Sequence, residues 1–218
     1  MDVIEIISCP RGISISCDGT KCTCLDFADG CRGKTPLIVT VGGNGSFHYY
    51  LRLPQSDGCI VFDQTVTISL VEPGASAEIY GLLSGAGSSS ISISISLLHY
   101  ADNTNSSCNI GSIGDGCCSI SITSKIAVGS GTKNCSSSMQ INNLRLSPQC
   151  QVRATPILDT ATADCSCSHG ATVGDLDRDQ LFYLRSRGLD SAAAKITLRG
   201  AFEEKILRNF PKASSCNG

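Results

Sequence analysis

Ile91-Ser92-Ile93-Ser94-Ile95-Ser96-Leu97 decides how the rest of the chain is read. Branched aliphatics at every second position, with serine between them, give an extended segment one apolar and one polar face. A helix would scatter the same isoleucines around its axis, so the stretch predicts a half-buried strand. Ser119-Ile-Ser-Ile-Thr123 repeats the pattern. Working outward, Leu37-Ile-Val-Thr-Val41, Phe47 to Leu53, Thr65-Val-Thr-Ile-Ser-Leu70 and Glu78-Ile-Tyr-Gly-Leu82 are further short apolar runs. They are punctuated by the turn-forming Gly42-Gly-Asn-Gly-Ser46 and Glu72-Pro-Gly-Ala-Ser76. Hardly any helix signal precedes Asp177, so a mainly β body is expected. Two architectures fit it: a sandwich built from hairpins, and a solenoid whose short parallel strands stack coil upon coil. The strand spacings are too irregular to define a repeat, and the residues alone leave both open.

A chain of 218 residues suffices for one domain with an appended segment. The net charge of −2, without a long run of either sign, predicts neither a nucleic-acid groove nor a membrane-binding basic patch. Between Ala75 and Cys150 the charged residues are Glu78, Asp102, Asp115, Lys125, Lys133 and Arg145, whereas Asp177 to Lys212 is dense with charge. Met1 to Pro10 carries Asp2 and Glu5 where a secretory leader needs a basic start, and no stretch is apolar for long enough to span a bilayer. Fourteen cysteines are many for a reducing compartment unless thiols bind metal. Together with sequons at Asn44, Asn105 and Asn134 they keep open a second reading, a disulfide-rich extracellular or surface β-solenoid without metal chemistry.

Cys9, Cys17, Cys22, Cys24 and Cys31 crowd the first 35 residues. Only Cys17 and Cys22 have metal-type spacing, and thiols on irregular turns are expected there. His48, beside two tyrosines, is expected to pack or face water, and His99 to sit in a turn, with a role at the site as the lesser alternative. Cys117 and Cys118 point to opposite faces of a strand and are expected to be small buried residues. No G-x-S-x-G, P-loop or dinucleotide-binding glycine pattern is present, so no enzyme is expected.

The tail predicts two helices. Asp177 can cap the first, with Gln180 returning the bond and Gly188 supplying a left-handed stop; Asp190 caps the second, which Ala192 to Ala194 favour and Pro211 ends. The second helix has an apolar face of Ala194, Leu198, Ala201, Phe202, Ile206 and Phe210. A lone amphipathic helix is marginal, so this face is expected to cover the open end of the β body.

The chemistry centres on Cys167-Ser-His-Gly-Ala-Thr-Val-Gly174. On a strand, Cys167 and His169 share a face and can reach one iron, zinc or sulfur species; Cys165 lies on the same side. An iron–sulfur cluster normally takes four thiolates, so this set suits transient binding completed by a partner. The plain alternative is that Cys167 packs in the last coil while His169 caps a turn carbonyl.

This run, followed by Leu181-Phe-Tyr-Leu-Arg-Ser-Arg-Gly188 and Ala201-Phe-Glu-Glu-Lys-Ile-Leu207, resembles the C-terminal signature of the SufB/SufD family. Those proteins are scaffold subunits of SUF iron–sulfur cluster assembly. The form with His169-Gly-Ala-Thr-Val-Gly174 is closer to SufD, and Asn143-Leu-Arg-Leu-Ser147 and Pro156-Ile-Leu-Asp159 resemble two upstream family segments. The chain departs from the family pattern at Thr132-Lys-Asn-Cys135-Ser-Ser-Ser-Met139, where the usual Thr and Gln are lost.

The resemblance implies a right-handed parallel β-helix over 1–175, with 1–35 a diverged Cys-rich start, and a helical segment over 176–218. It implies a short or truncated member without the family's N-terminal helical domain. It implies a non-enzymatic scaffold that holds a transient iron–sulfur cluster, or iron, shared with a partner subunit at Cys167, His169 and Cys165. The expected partners are a SufB-like subunit and the ABC-type ATPase SufC, gripped through the helical end at Phe182, Tyr183, Arg185, Arg187 and Phe202; a homodimer is the other arrangement. The expected location is the cytoplasm or a plastid stroma. A diverged copy keeping only the fold is the remaining alternative.

Overall fold

A computed structural model describes residues 3–7, 13–28, 32–55 and 59–211. Its β body is a parallel solenoid of about five turns in which successive strands alternate between two sheets. One sheet holds β1 (Val3–Ile7), β3 (Lys21–Phe27), β5 (Ser46–Leu53), β7 (Ser76–Gly85), β9 (Asn105–Gly114), β11 (Cys135–Arg145) and β13 (Cys165–Asp175). The other holds β2 (Ile13–Cys17), β4 (Arg32–Val41), β6 (Val61–Leu70), β8 (Ser90–His99), β10 (Ser119–Val128) and β12 (Gln151–Thr160). Every ladder is parallel and joins a strand to the next but one.

The registers give the repeat. Val61 lies against Ser90 and Ser90 against Ser119, a step of 29 residues; Ser106 to Ser137 is a step of 31, and Ser119 to Gln151 one of 32. Earlier coils are shorter, with Lys21 against Ser46. One corner is built alike in five successive coils: Gly19, Asn44, Gly74, Asn103 and Asn134 all have positive φ, from 53° to 79°, and stand in one column. Glycine enters that region freely and asparagine tolerates it, so the corner accounts for Asn44 and Asn134, two of the three sequon asparagines. Asn134 donates its amide to Asn103 Oδ1 at 2.7 Å, a rung between adjacent corners.

The Ile/Ser alternation places Ile91, Ile93, Ile95 and Leu97 inside, where they stack on Ile120, Ile122 and Ile126 of β10. Each buried branched side chain contributes about 1.5–3 kcal/mol. Cys17, Cys22 and Cys24 are buried in this core on strands β2 and β3, so these thiols do not lie on irregular turns. Cys9 and Cys31 fall outside the described residues.

After β13 come α1 (Arg178–Ser186) and α2 (Ser191–Leu207). Asp177 caps α1 by accepting from the Asp179 and Gln180 amides, Asp190 caps α2 through Ala193, and Gly188 has φ 95°. The expected docking of α2 is corrected: it packs on the outer face of β7 and β9, where Ile206 seals an apolar patch with Leu82, Ile113 and Leu144. Phe202, Leu207 and Phe210 flank the patch, whereas Ala201 is exposed. The sheet has apolar residues on both sides there, which draws the helix to its flank. Among the described residues, nothing covers the last coil of the solenoid.

Candidate functional site

The open end is the coil of β12 and β13. Inward positions that are buried in β10 and β11 are only half-buried or exposed here, because no further coil among the described residues stacks on them. Val152, Ala154 and Leu158 of β12 thus show apolar surface. On β13 the register sets Cys165 against Cys135, Cys167 against Ser137 and His169 against Met139. Cys165, Cys167 and His169 therefore form one row on the inward side of the last strand, as strand alternation requires. Cys165 and Cys167 are half-buried against the core, and His169 is exposed.

Burial pushes the Cys167 thiol up to about 11, reinforced by the neighbouring Cys165 and Cys135 thiols. As a free strand, then, β13 holds a protonated thiol at neutral pH, and a soft cation binding there must displace the proton. Among the described residues no three His, Cys, Asp or Glu side chains converge to hold a metal ion. The row could offer part of a ligand set, which the described residues do not complete.

Behind the row runs a buried polar network that the sequence reading missed. His99, expected in a turn, ends β8 with no exposed surface. Its Nδ1 lies 2.8 Å from Thr104 Oγ1 and its Nε2 2.8 Å from Ser106 Oγ; Ser106 lies 2.7 Å from Ser137 Oγ, and Thr104 reaches Cys135 Sγ at 3.4 Å. If the Thr104 hydroxyl donates to the Ala101 carbonyl (3.1 Å), Nδ1 carries the proton and Nε2 accepts from Ser106, which satisfies a neutral imidazole. The signal was present in the alternation: Ile91, Ile93, Ile95, Leu97 and His99 share parity and hence a face.

Burial holds His99 down at about 4, below its usual 6.5. The unfolded chain therefore takes up a proton between those values that the fold refuses. The stabilisation from neutral His99 is whole above pH 6.5 and is lost as pH falls toward 4, about 3 kcal/mol in all. Urea midpoints measured across this range are expected to fall with acidity, and His99→Gln to flatten the slope. The other mid-chain histidine, His48, is half-buried on an outer face, with Nδ1 3.4 Å from Glu78 and its ring against Tyr50. Of the adjacent pair, Cys118 is buried and Cys117 exposed, so only one of them is the buried residue expected.

The helical end presents a second candidate surface. Phe182 is 74% and Tyr183 56% exposed on α1, Arg187 lies over the Tyr183 ring at 5.4 Å, and Arg185 is exposed beside them. Phe182 and Arg185 line a groove with Leu189 and Asp190. Phe202, on α2, is half-buried against the patch that holds that helix.

Residues 58–202 match the core domain of SufBD, of the SUF system for FeS cluster assembly. A SufBD family iron–sulfur cluster assembly protein of Synechocystis is 43% identical over 76 residues, which are 34% of this chain and 17% of that protein. The iron–sulfur cluster assembly protein SufD of Escherichia coli is 41% identical over 68 residues, 31% of this chain and 16% of SufD. A chloroplastic protein of Arabidopsis thaliana, ABCI7, is 39% identical over 69 residues, 32% of this chain and 14% of ABCI7. The matched stretches thus span less than a fifth of each relative. With the core-domain match running through most of the solenoid and into α2, the chain belongs to the SufBD family of the SUF iron–sulfur cluster assembly system.

Proposed function

We propose that the chain is a non-enzymatic scaffold subunit of the SUF assembly complex, holding a nascent iron–sulfur cluster or its iron as cargo between itself and a SufB-type subunit. Cys167 and His169 are its outer ligands and Cys165 the inner one. The observation that carries the reading is the row itself: two thiols and an imidazole aligned on the last strand of an uncapped solenoid, with too few ligands to hold a cluster alone. The edges of β12 and β13 lack a strand partner among the described residues, and the half-buried apolar positions beside them need a cap. A SufB-type subunit seated there would supply both the cap and the missing ligands. A second copy of this chain could take the same edge.

The exposed face of α1, with Phe182, Tyr183, Arg185 and Arg187, is assigned to the ABC-type ATPase SufC, and Phe202 keeps the helical pair in place beneath it. Aromatic and arginine anchors of this kind dominate binding energy. The double variant Phe182→Ala, Tyr183→Ala is expected to weaken ATPase binding by at least ~30-fold, about 2 kcal/mol, in calorimetric titration, with SufB-type binding unchanged. A reducing compartment, the cytoplasm or a plastid stroma, suits thiols such as Cys165 and Cys167. No helix among the described residues is long and apolar enough to cross a membrane.

The direct experiment is co-expression with the SufB-type and ATPase subunits of the same source, followed by size exclusion without oxygen. A joint peak carrying iron and sulfide is expected. A folded chain that elutes apart while its partners pair normally would refute the reading.

A further inference from the structure

We propose that Cys118 and Cys150 form a reversible disulfide that staples the last two coils together, a modification site separate from the Cys165, Cys167, His169 row and independent of the scaffold reading. Ser119 of β10 pairs with Gln151 of β12, so one residue upstream the two cysteines stand side by side on adjacent coils. The Gln151 amide donates to the Cys118 carbonyl at 2.9 Å and fixes that alignment. Neighbouring residues of a parallel ladder have Cα atoms about 4.8 Å apart, inside the ~4.4–6.8 Å window that a disulfide spans. The sulfurs already lie 3.1 Å apart, so a closure of about 1 Å reaches the ~2.05 Å bond.

The space around them is shaped for sulfur. Gly85 and Gly114 pair on the facing sheet; a Cβ on Gly114 would collide with Cys150 Sγ and stand 3.1 Å from Cys118 Sγ, and one on Gly85 would stand 3.5 Å from Cys118 Sγ. Both cysteines are buried, at 0% and 2% exposure, with Ile91 and Ile120 beside the same two glycines. No third metal ligand joins them among the described residues, so the pair suits a sulfur–sulfur bond rather than an ion. Burial pushes Cys150 up to about 12, which keeps it protonated and slow to react while the corner is shut. Access comes through the turn just before it, where Pro148 and Gln149 are exposed.

The oxidant is a small disulfide such as oxidised glutathione. One protein thiolate attacks its S–S bond and releases one small thiol; the second protein thiolate then attacks the protein sulfur of the mixed disulfide and releases the other. Two protons leave the protein thiols for the two released thiols, and the electron pair from the protein reduces the oxidant's bond. The staple ties the coil that carries Cys165, Cys167 and His169 to the coil before it.

To test this, the full chain is incubated with oxidised glutathione, its remaining thiols are alkylated under denaturing conditions, and a non-reduced digest is analysed by mass spectrometry. A peptide joining Cys118 to Cys150 is expected, lost on adding dithiothreitol. The apparent Tm is expected to rise by roughly 5–15 °C on oxidation, and to stay put in Cys118→Ala. Recovery of both cysteines alkylated, or of either joined only to another cysteine, would overturn the proposal. The mapping uses the unaltered protein, so it decides the matter even if the variant fails to fold.

Discussion

Ile206→Asp is expected to strip α2 from the solenoid while leaving the coils intact. Ile206 is almost fully buried and completes the patch of Leu82, Ile113 and Leu144. Truncating such a residue to alanine costs about 2–5 kcal/mol, and a carboxylate in its place adds the cost of burying an unpaired charge. The helix has little to fall back on, since most helical stability in a protein comes from packing of the apolar face. Gly111→Leu should produce the same result from the opposite side: a Cβ there would stand 2.7 Å from Ile206 Cγ1, and the rest of the leucine would occupy the place of the isoleucine. In both variants circular dichroism should lose helical signal with the β signal retained, and limited proteolysis should cut within 176–210. Unchanged protease resistance in both would mean that α2 is held by something other than this socket.

The second large effect concerns the row on β13. Within the co-purified complex, Cys167→Ser and His169→Ala are each expected to lower iron and sulfide content by at least ~10-fold, the lower end of what disturbing a metal's ligand environment costs. Serine keeps the size of cysteine but replaces a soft sulfur by a hard hydroxyl, a poor ligand for ferrous iron or sulfane sulfur. Alanine at 169 removes the imidazole without opening a cavity, because His169 is exposed. Neither change should alter the melting temperature of the isolated chain by more than a few degrees, which separates lost chemistry from lost fold. Cys165→Ser, deeper against Cys135, should cost less iron but more stability. Full iron and sulfide content in both outer variants would make the row structural.

The β character was legible because Ile91 to Leu97 states its period within one strand. The choice of solenoid over sandwich was not. Parallel pairing joins Val61 to Ser90 and Ser90 to Ser119, and a step that drifts from 29 to 32 residues over the later coils hides the repeat from any fixed-period scan. The corner column escaped for a related reason, since glycine and asparagine serve it interchangeably and two of its asparagines also read as sequons. The helix caps at Asp177 and Asp190 were legible, being local. The docking of α2 was not: its apolar face says that it must be covered, while the surface that covers it, Leu82, Ile113 and Leu144, comes from three strands far away in sequence. Alignment of Cys165, Cys167 and His169 followed from parity. His99 obeyed the same parity, but a single polar residue at the end of an apolar strand fits a turn equally well.

The central claim is that the uncapped last coil is a half-site completed by a SufB-type subunit. Differential alkylation of the reduced chain, alone and in the anaerobic complex, tests it most directly, with the exposed Cys59 on an earlier coil as internal reference. Complex formation should protect Cys167, and Cys165 behind it, by at least ~10-fold in rate while Cys59 reacts as before; protection of this order corresponds to about 1.4 kcal/mol of occlusion. A stable complex in which Cys167 alkylates as fast as in the free chain would contradict the claim, because the partner would then be bound somewhere other than over the row.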